Sequence, residues 1–211
     1  MDSMKPEASQ KALKSRLRKK IREQRRSIDA PDKLSLDSAI NRFLTTYAEE
    51  SHVQTIAAFW PFDGEPNLLP ALELLERAGI RLALPVIGEE PARPSMIFRH
   101  WTTGAVMEQN FYGIPEPVGT AEILLPDIDL ILLPLVGWDD SGGRLGMGAG
   151  YYDRALQPFR QSHSPVRMGV AYQLQKLPVI PAEPWDIRLH MILSESGWAI
   201  FPKDQKLAGK T

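Results

Sequence analysis

The chain has 211 residues, 43% apolar and 24% charged, with a formal net charge of −1 and no cysteine. This is ordinary globular composition with enough length for a sizeable core, which excludes a fibre, a mucin-like stalk and a wholly disordered chain. Without cysteine there are no disulfides, thiolate metal sites or cysteine nucleophile; no run approaches the ~18 apolar residues of a membrane span, and no apolar segment follows the basic N-terminus as a secretory leader would require, so a cytoplasmic protein is expected.

Charge concentrates first near the N-terminus. Residues 11–26 hold nine Lys/Arg and one acid, a segment charge of +8 that leaves −9 for the rest of the chain. Such a segment either recruits polyanions or folds back to supply cations to a site on the body. It reads as a helix: Leu13, Leu17 and Ile21 recur every four residues, and Lys14, Arg18, Arg22 and Arg25 lie on an adjacent ridge. Asp29-Ala30-Pro31 stops that helix and starts another, with Pro31 suited to a first turn. The second helix carries Leu36, Ala39, Ile40, Phe43, Leu44 and Tyr47 on its apolar face.

From residue 53 the period changes. Strands are predicted at 53–60, 80–87, 96–101 (at or near an edge), 130–136, 166–171 and 189–193, with helices at 67–78 and near 151–159. Residues 102–126 read as a long polar stretch bearing Gly and Pro. Strand–helix–strand order around the continuous apolar run at 130–136 predicts one three-layer α/β domain over 11–201 with a largely parallel sheet. Residues 1–10 and 202–211 are expected as loose ends.

The segment 141–153, Ser-Gly-Gly-Arg-Leu-Gly-Met-Gly-Ala-Gly-Tyr-Tyr-Asp, places five of the fifteen glycines within nine positions. Between a buried strand and a helix, such a loop brings backbone N–H groups close to a ligand and adds the partial positive charge of a helix start, which favours an anion. It also falls at the carboxyl end of a strand, where open α/β sheets bind ligands. No Gly-Lys-Ser/Thr follows, so this is not a Walker A loop; the spacing Gly146-x-Gly148-x-Gly150, with no acid between Asp153 and Glu183, is not the dinucleotide fingerprint. The residues alone indicate a phosphate or carboxylate site with Arg144 and a nearby carboxylate. A mere turn needing positive φ at several glycines leaves Arg144, Tyr151 and Asp153 unexplained. The four histidines, at 52, 100, 163 and 190, never reach metal-ligand spacing. No aromatic residue interleaves the basic ones between 11 and 26, so nucleic acid is not the expected partner.

Residues 134–153, Pro-Leu-Val-Gly-Trp-Asp-Asp-Ser-Gly-Gly-Arg-Leu-Gly-Met-Gly-Ala-Gly-Tyr-Tyr-Asp, resemble the signature of the 5-formyltetrahydrofolate cyclo-ligase family, with Arg-x-Gly-x-Gly-x-Gly-Tyr-Tyr-Asp intact at 144–153. Lys14-Ser-Arg-Leu-Arg18 resembles the family's N-terminal basic motif, Phe59-Trp-Pro-Phe-Asp-Gly-Glu65 its first strand and acidic turn, and Gly113-Ile-Pro-Glu-Pro117 its Ile-Pro-x-Pro turn. The resemblance runs from about residue 11 to 196. It implies a fold similar to sugar-phosphate isomerases and CoA transferases. It also implies an enzyme that uses ATP and Mg²⁺ to close 5-formyltetrahydrofolate to 5,10-methenyltetrahydrofolate, releasing ADP and phosphate.

On that resemblance Lys14, Arg18, Arg144 and the loop Gly146, Met147, Gly148, Ala149, Gly150 and Tyr151 would hold ATP. Trp60, Glu65 and Tyr151 would line the folate pocket, Glu65 meeting the N–H edge of the pterin. Asp153 and Asp186 would hold Mg²⁺, and Arg144, Lys14 and Tyr151 would act in catalysis. The implied partners are these small molecules, with no nucleic acid or membrane, and a monomer is expected. Plainer roles stand beside these: a first-turn helix acid for Asp153, a turn residue for Asp186, a core aromatic for Trp60, a turn acid for Glu65. Tyr112 and Trp138 are pocket-edge candidates with packing as the plainer role. Met147 and Ala149 stand where many relatives carry Arg or Lys, which points to weaker ATP binding. His190 stands where Asp is usual and Ser194 where Thr is usual. Three other readings compete: a relative acting on another folate or a phosphorylated sugar, a non-catalytic folate or nucleotide binder, and a nucleic-acid binder.

Overall fold

The computed structural model describes residues 6–88 and 95–201, with side chains from residue 10 onward. Helix α1 spans Pro6–Arg26, so it starts inside the segment expected to be loose; residues 1–5 and 202–211 lie outside the described residues. Helix α2 spans Ala30–Glu50 and starts as the sequence indicates: the Asp29 carboxylate accepts the Asp32 N–H at 2.9 Å, and Pro31 occupies the first turn. Its core face carries Ile40, Leu44 and Ala48, with Leu36, Phe43 and Tyr47 partly buried at the margin. Two polar residues share that face. Asp37 accepts the Tyr172 hydroxyl at 2.6 Å, and the Asn41 amide donates to the Asn67 carbonyl while accepting from the Ala71 N–H. Buried polar groups persist only when bonded in this way.

The strands and remaining helices follow as β1 Thr55–Ala57, α3 Leu69–Arg77, β2 Arg81–Ile87, β3 Met96–Trp101, β4 Met107–Gln109, β5 Pro115–Pro117, β6 Glu122–Ile123, β7 Leu130–Pro134, β8 Gly137–Trp138, β9 Arg144–Leu145, α4 Tyr151–Ala155, β10 Val166–Val170, β11 Met191–Ser194 and β12 Gly197–Ile200. Eight strands form one sheet in the order β12-β11-β10-β7-β1-β2-β3-β6. The five central strands are parallel; β12 and β3 run antiparallel to them, and β6 pairs antiparallel with β3.

Strand β7 explains why its sequence is continuously apolar. Leu130 and Leu132 enter one core cluster, with α2 and α3, while Ile131 and Leu133 enter a second cluster on the opposite face. A parallel strand covered on both faces has no solvated side to alternate with. The second face is covered by Ile128, Leu156, Ile187 and Phe201 from connecting segments, and its helix α4 has only five residues. Residues 102–126, read as a plain loop, contain β4, β5 and β6; the antiparallel edge strand β12 was also not anticipated. No helix among the described residues is long and apolar enough to cross a membrane.

The strand order reverses between β1 and β7: the chain proceeds outward from β1 to β2 on one side and from β7 to β10 and β11 on the other. Connections diverge at such a point and leave a crevice beyond the carboxyl ends of the strands. Phe59 and Trp60 follow β1 there, and Pro134 ends β7 there.

Candidate active site

A cavity of about 890 Å³ opens at this crevice, and every residue that the resemblance assigns to ATP, folate or Mg²⁺ lines it. Its first wall is the glycine loop. After β7 the chain makes a short β8–β9 hairpin rather than entering the loop directly. Buried Asp139 organises it: one carboxylate oxygen accepts the Ser141 and Gly143 N–H groups at 2.9 Å and the Ser141 hydroxyl at 2.7 Å, and the other accepts the Ile180 N–H at 2.8 Å. Burial alone would raise its pKa, but these donors hold it below the usual carboxylate range. A Cβ at Gly143 would lie 2.6 Å from the Asp139 carboxylate, so only glycine fits.

From Gly146 to Gly150 no backbone N–H donates to another group among the described residues. Gly148 and Gly150 have φ of +112° and +71°, conformations that a side chain rarely tolerates. Five consecutive amides with no acceptor among the described residues thus lie on the cavity-lining loop, donors of the kind that suit an anion. The helix start expected to assist them belongs to the five-residue α4, so the loop amides carry the anion-binding capacity.

Cations surround this loop. Arg18 Nε donates to the Gly146 carbonyl at 2.8 Å, Lys14 Nζ donates to Asp186 at 3.2 Å, and an Arg144 terminal nitrogen donates to Asp153 at 2.7 Å. Burial lowers the pKa of the Arg18 guanidinium, with Asp186 opposing. The Arg144 side chain is only 5% exposed, and its Nε is buried without an acceptor among the described residues. A buried donor without a partner is costly, and such groups mark places where a ligand supplies the missing acceptor. Helix α1 docks through most of its apolar stripe and through its cationic ridge as well. Ile21 and Leu17 pack on Val136 and Leu145, but Leu13 is 41% exposed, and the ridge Lys14, Arg18, Arg22 and Arg25 is a second docking seam.

Asp153 and Asp186 stand close together: one Asp153 oxygen accepts both Arg144 and the N–H of Ile187, next to Asp186. Asp186 also closes its own turn by accepting the Glu183 N–H at 2.8 Å, the turn role weighed for it. In each case all the hydrogen bonds fall on one carboxylate oxygen, leaving the second uncommitted among the described residues. No group of three or more His, Cys, Asp or Glu side chains is placed to cage a metal among the described residues. Two carboxylates fit Mg²⁺ nonetheless, because it keeps several waters and takes one or two carboxylates plus substrate phosphates.

The opposite wall is drier. Glu65 is 7% exposed; burial pushes its pKa up to about 7, against the opposing pull of the Arg25 charge. Its carboxylate accepts only the Phe62 N–H, at 3.1 Å, among the described residues. Trp60 is half-buried, edge-on to Trp101 with ring centroids 6.5 Å apart. Tyr151 meets Tyr112 edge-on at 6.4 Å, and burial, with the Tyr112 hydroxyl next, pushes the Tyr151 phenol up to about 12.

Tyr152 was missed by sequence reasoning. It lines the cavity, its hydroxyl is buried without a partner among the described residues, and the Arg144 guanidinium lies 5.9 Å from its ring. The Tyr-Tyr pair was visible in the sequence, but that both rings line the cavity was not. Trp138 is a core residue packed against Phe201 and does not line the cavity, whereas Tyr112 does. His190 does not line it either. It is 2% exposed, its Nδ1 accepts the Arg167 N–H at 3.1 Å, and the other ring nitrogen meets the Arg167 guanidinium. Burial, then the Arg167 charge, pushes its pKa down to about 3, so it is a neutral structural imidazole. Ser194 is likewise buried, accepting from Gln173 at 2.7 Å.

The sequence model of the 5-formyltetrahydrofolate cyclo-ligase family matches residues 10–195. The chain is 31% identical over 182 residues to the 5-formyltetrahydrofolate cyclo-ligase of Haemophilus influenzae, covering 85% of this chain and 96% of that protein. It is 33% identical to the Escherichia coli K12 protein of the same name, covering 83% and 97%. Two solved structures of 5,10-methenyltetrahydrofolate synthetases superpose on it at 29% identity. The one from Aquifex aeolicus has a TM-score of 0.77 and covers 90% of this chain and 93% of that one; the one from Mycoplasma pneumoniae has 0.70 and covers 86% and 98%.

Proposed function

The chain belongs to the 5-formyltetrahydrofolate cyclo-ligase family, and from that premise we propose how its cavity divides the work of closing the folate ring between two walls. The enzyme converts 5-formyltetrahydrofolate to 5,10-methenyltetrahydrofolate. A formamide oxygen is a poor leaving group, so N10 cannot displace it unaided. The formyl oxygen attacks the γ-phosphorus of ATP, the bond to the β-phosphate oxygen breaks, and ADP leaves. N10 then attacks the formyl carbon, the carbon–oxygen bond breaks, inorganic phosphate departs and N10 gives up its proton. Both steps depend on positioning and charge neutralisation rather than on a covalent residue.

Lys14, Arg18 and Arg144 bind the polyphosphate, with the amides of Gly146, Met147, Gly148, Ala149 and Gly150 facing the transferring group. Asp153 and Asp186 hold Mg²⁺, whose chemistry when bound is to offset charge on the β- and γ-phosphates. Arg144 offers its buried Nε to the charge that develops during transfer. Trp60 and Tyr151 confine the pteridine, and Glu65 in its ionised form accepts from the pterin N–H edge. The observation that carries this reading is the convergence of five uncommitted amides and three cations on one cavity whose other wall holds a buried acid.

The test is to incubate the protein with 5-formyltetrahydrofolate and Mg-ATP and follow the near-ultraviolet band of the methenyl product, omitting ATP in one arm and adding a chelator in another. The band should grow only with ATP and metal both present. Growth without ATP would overturn the phosphorylation step, and full activity under chelation would overturn the metal assignment.

A further inference from the structure

We propose that Asp63 is a positioning residue of this enzyme: by gathering the arginines of α1 it sets Lys14 and Arg18 in place over the glycine loop. The proposal rests on the reading that those two cations bind ATP. Asp63 and Gly64 are the central residues of a tight turn, with φ of +54° and +77° and the Glu65 N–H donating to the Phe62 carbonyl at 3.0 Å. Asp-Gly is the pair that such a doubly left-handed turn favours. The Asp63 side chain is only 3% exposed and does not line the cavity.

Three arginines converge on this one residue. Arg22 Nε donates to its carboxylate at 2.7 Å, Arg25 does so at 3.0 Å, and Arg26 also pairs with it. Arg25 gives two further hydrogen bonds to the Asp63 carbonyl, at 2.7 and 3.0 Å, and one to the Leu135 carbonyl just past β7, at 3.1 Å. Its side chain is fully buried. Burial alone would raise the Asp63 pKa, yet Arg22 and Arg26 hold it below the usual range, so the carboxylate stays charged.

The consequence follows from helix geometry. Arg22, Arg18 and Lys14 are spaced by four residues, so they share one face and lie about 6 Å apart along the axis. The apolar contacts of Leu17 and Ile21 are non-directional and would let the helix slide or roll. Several charge-assisted hydrogen bonds to one fixed turn fix both its rotation and its register. Arg18 and Lys14 thereby reach the Gly146 carbonyl and Asp186 about one and two turns further along. The same turn continues into Glu65, so one element of chain anchors the cationic helix and presents the buried acid.

The test uses Asp63→Asn, which keeps the shape and removes the charge, and an Arg22→Gln/Arg26→Gln double variant, which weakens the latch without stranding buried Arg25. For each, KM for Mg-ATP, KM for 5-formyltetrahydrofolate, kcat, melting temperature and hydrogen exchange of residues 14–26 are measured. Asp63→Asn should raise KM for ATP about tenfold or more and accelerate exchange in α1, since displacement of catalytic groups by an ångström is costly, while KM for the folate stays within about twofold. The double variant should move the same way by a smaller factor with its melting temperature unchanged. Equal rises in both KM values with lower thermal stability would reduce Asp63 to a folding residue and overturn the proposal. Unchanged ATP kinetics with faster exchange in α1 would overturn it as well. Lys14→Ala checks the reading beneath: if its KM for ATP is normal, the ATP assignment falls, and Asp63 as anchor of α1 then stands or falls on the exchange data alone.

Discussion

The two walls of the cavity handle charge in opposite ways. On the glycine-loop side every cation already has an acceptor: Lys14 with Asp186, Arg144 with Asp153, Arg18 with the Gly146 carbonyl. Elsewhere in the lining, Glu65 is buried with a single backbone donor on its carboxylate among the described residues, and the Tyr152 hydroxyl between Glu65 and Arg144 has no partner among them. Paired charges remain charged over a wide pH range, whereas an isolated buried acid is driven toward its neutral form. A wall built of pairs holds cations ready for an anion, and a wall built around one buried acid acquires a pH dependence.

The first way to break this contrast is to remove a cation. Arg144→Ala should lower kcat/KM by about 10²–10³-fold, the usual cost of losing one transition-state donor. Its melting temperature should move little, because the partner Asp153 keeps the Ile187 N–H and its surroundings are partly solvated. Near-normal turnover, measured by the growth of the methenyl band, would remove Arg144 from the reaction.

Glu65→Gln tests the other wall. Because the folded pKa of Glu65 is raised from 4.5 to about 7, the native state binds more protons than the unfolded one between those values, and stability falls as pH rises through that window. At one unit per 1.36 kcal/mol this amounts to about 3 kcal/mol once the group is ionised. The variant should therefore be more stable than the parent above pH 8, with the gap closing below pH 5, while losing folate affinity. A melting-temperature difference independent of pH would show that the acid titrates normally.

Smaller effects sharpen the same picture. Gly150→Ala forces a left-handed residue to carry a side chain, which costs about 1–2 kcal/mol and tilts the adjoining amides. Calorimetry should register that loss, and ATP affinity should fall with it. Met147→Arg supplies a cation at an exposed loop position. A surface ion pair is worth about 0.2–1 kcal/mol, so KM for ATP should fall by at most about fivefold, and less at high salt. No change at low salt would mean that residue 147 does not face the polyphosphate.

Legibility in the sequence tracked how much each element depends on its neighbours. Strand β7 was plain because burial on both faces demands four apolar residues in a row, and α2 because Asp29 and Pro31 mark its start. Strands β4, β5, β6, β8 and β9 have two or three residues each, too short for any period to register, and they form only because partner strands supply their hydrogen bonds. Helix α1 was read as a helix that packs through the stripe Leu13, Leu17 and Ile21; Leu17 and Ile21 do pack, and only Leu13 is exposed. The cationic ridge became a second seam because its acceptors, Asp63, Gly146, Asp186 and Leu135, come from four distant parts of the chain.

The residues that line the cavity were thus legible by type and motif, since glycine runs and fixed cations are written locally. What the tertiary structure alone decided was their state. Burial pushes the Glu65 pKa up to about 7, Tyr152 lines the cavity while Trp138 packs on Phe201, and His190 is a neutral packing residue because it is buried and lies against Arg167. Burial and partner choice are sums over contacts between residues far apart in the chain, so no local pattern encodes them.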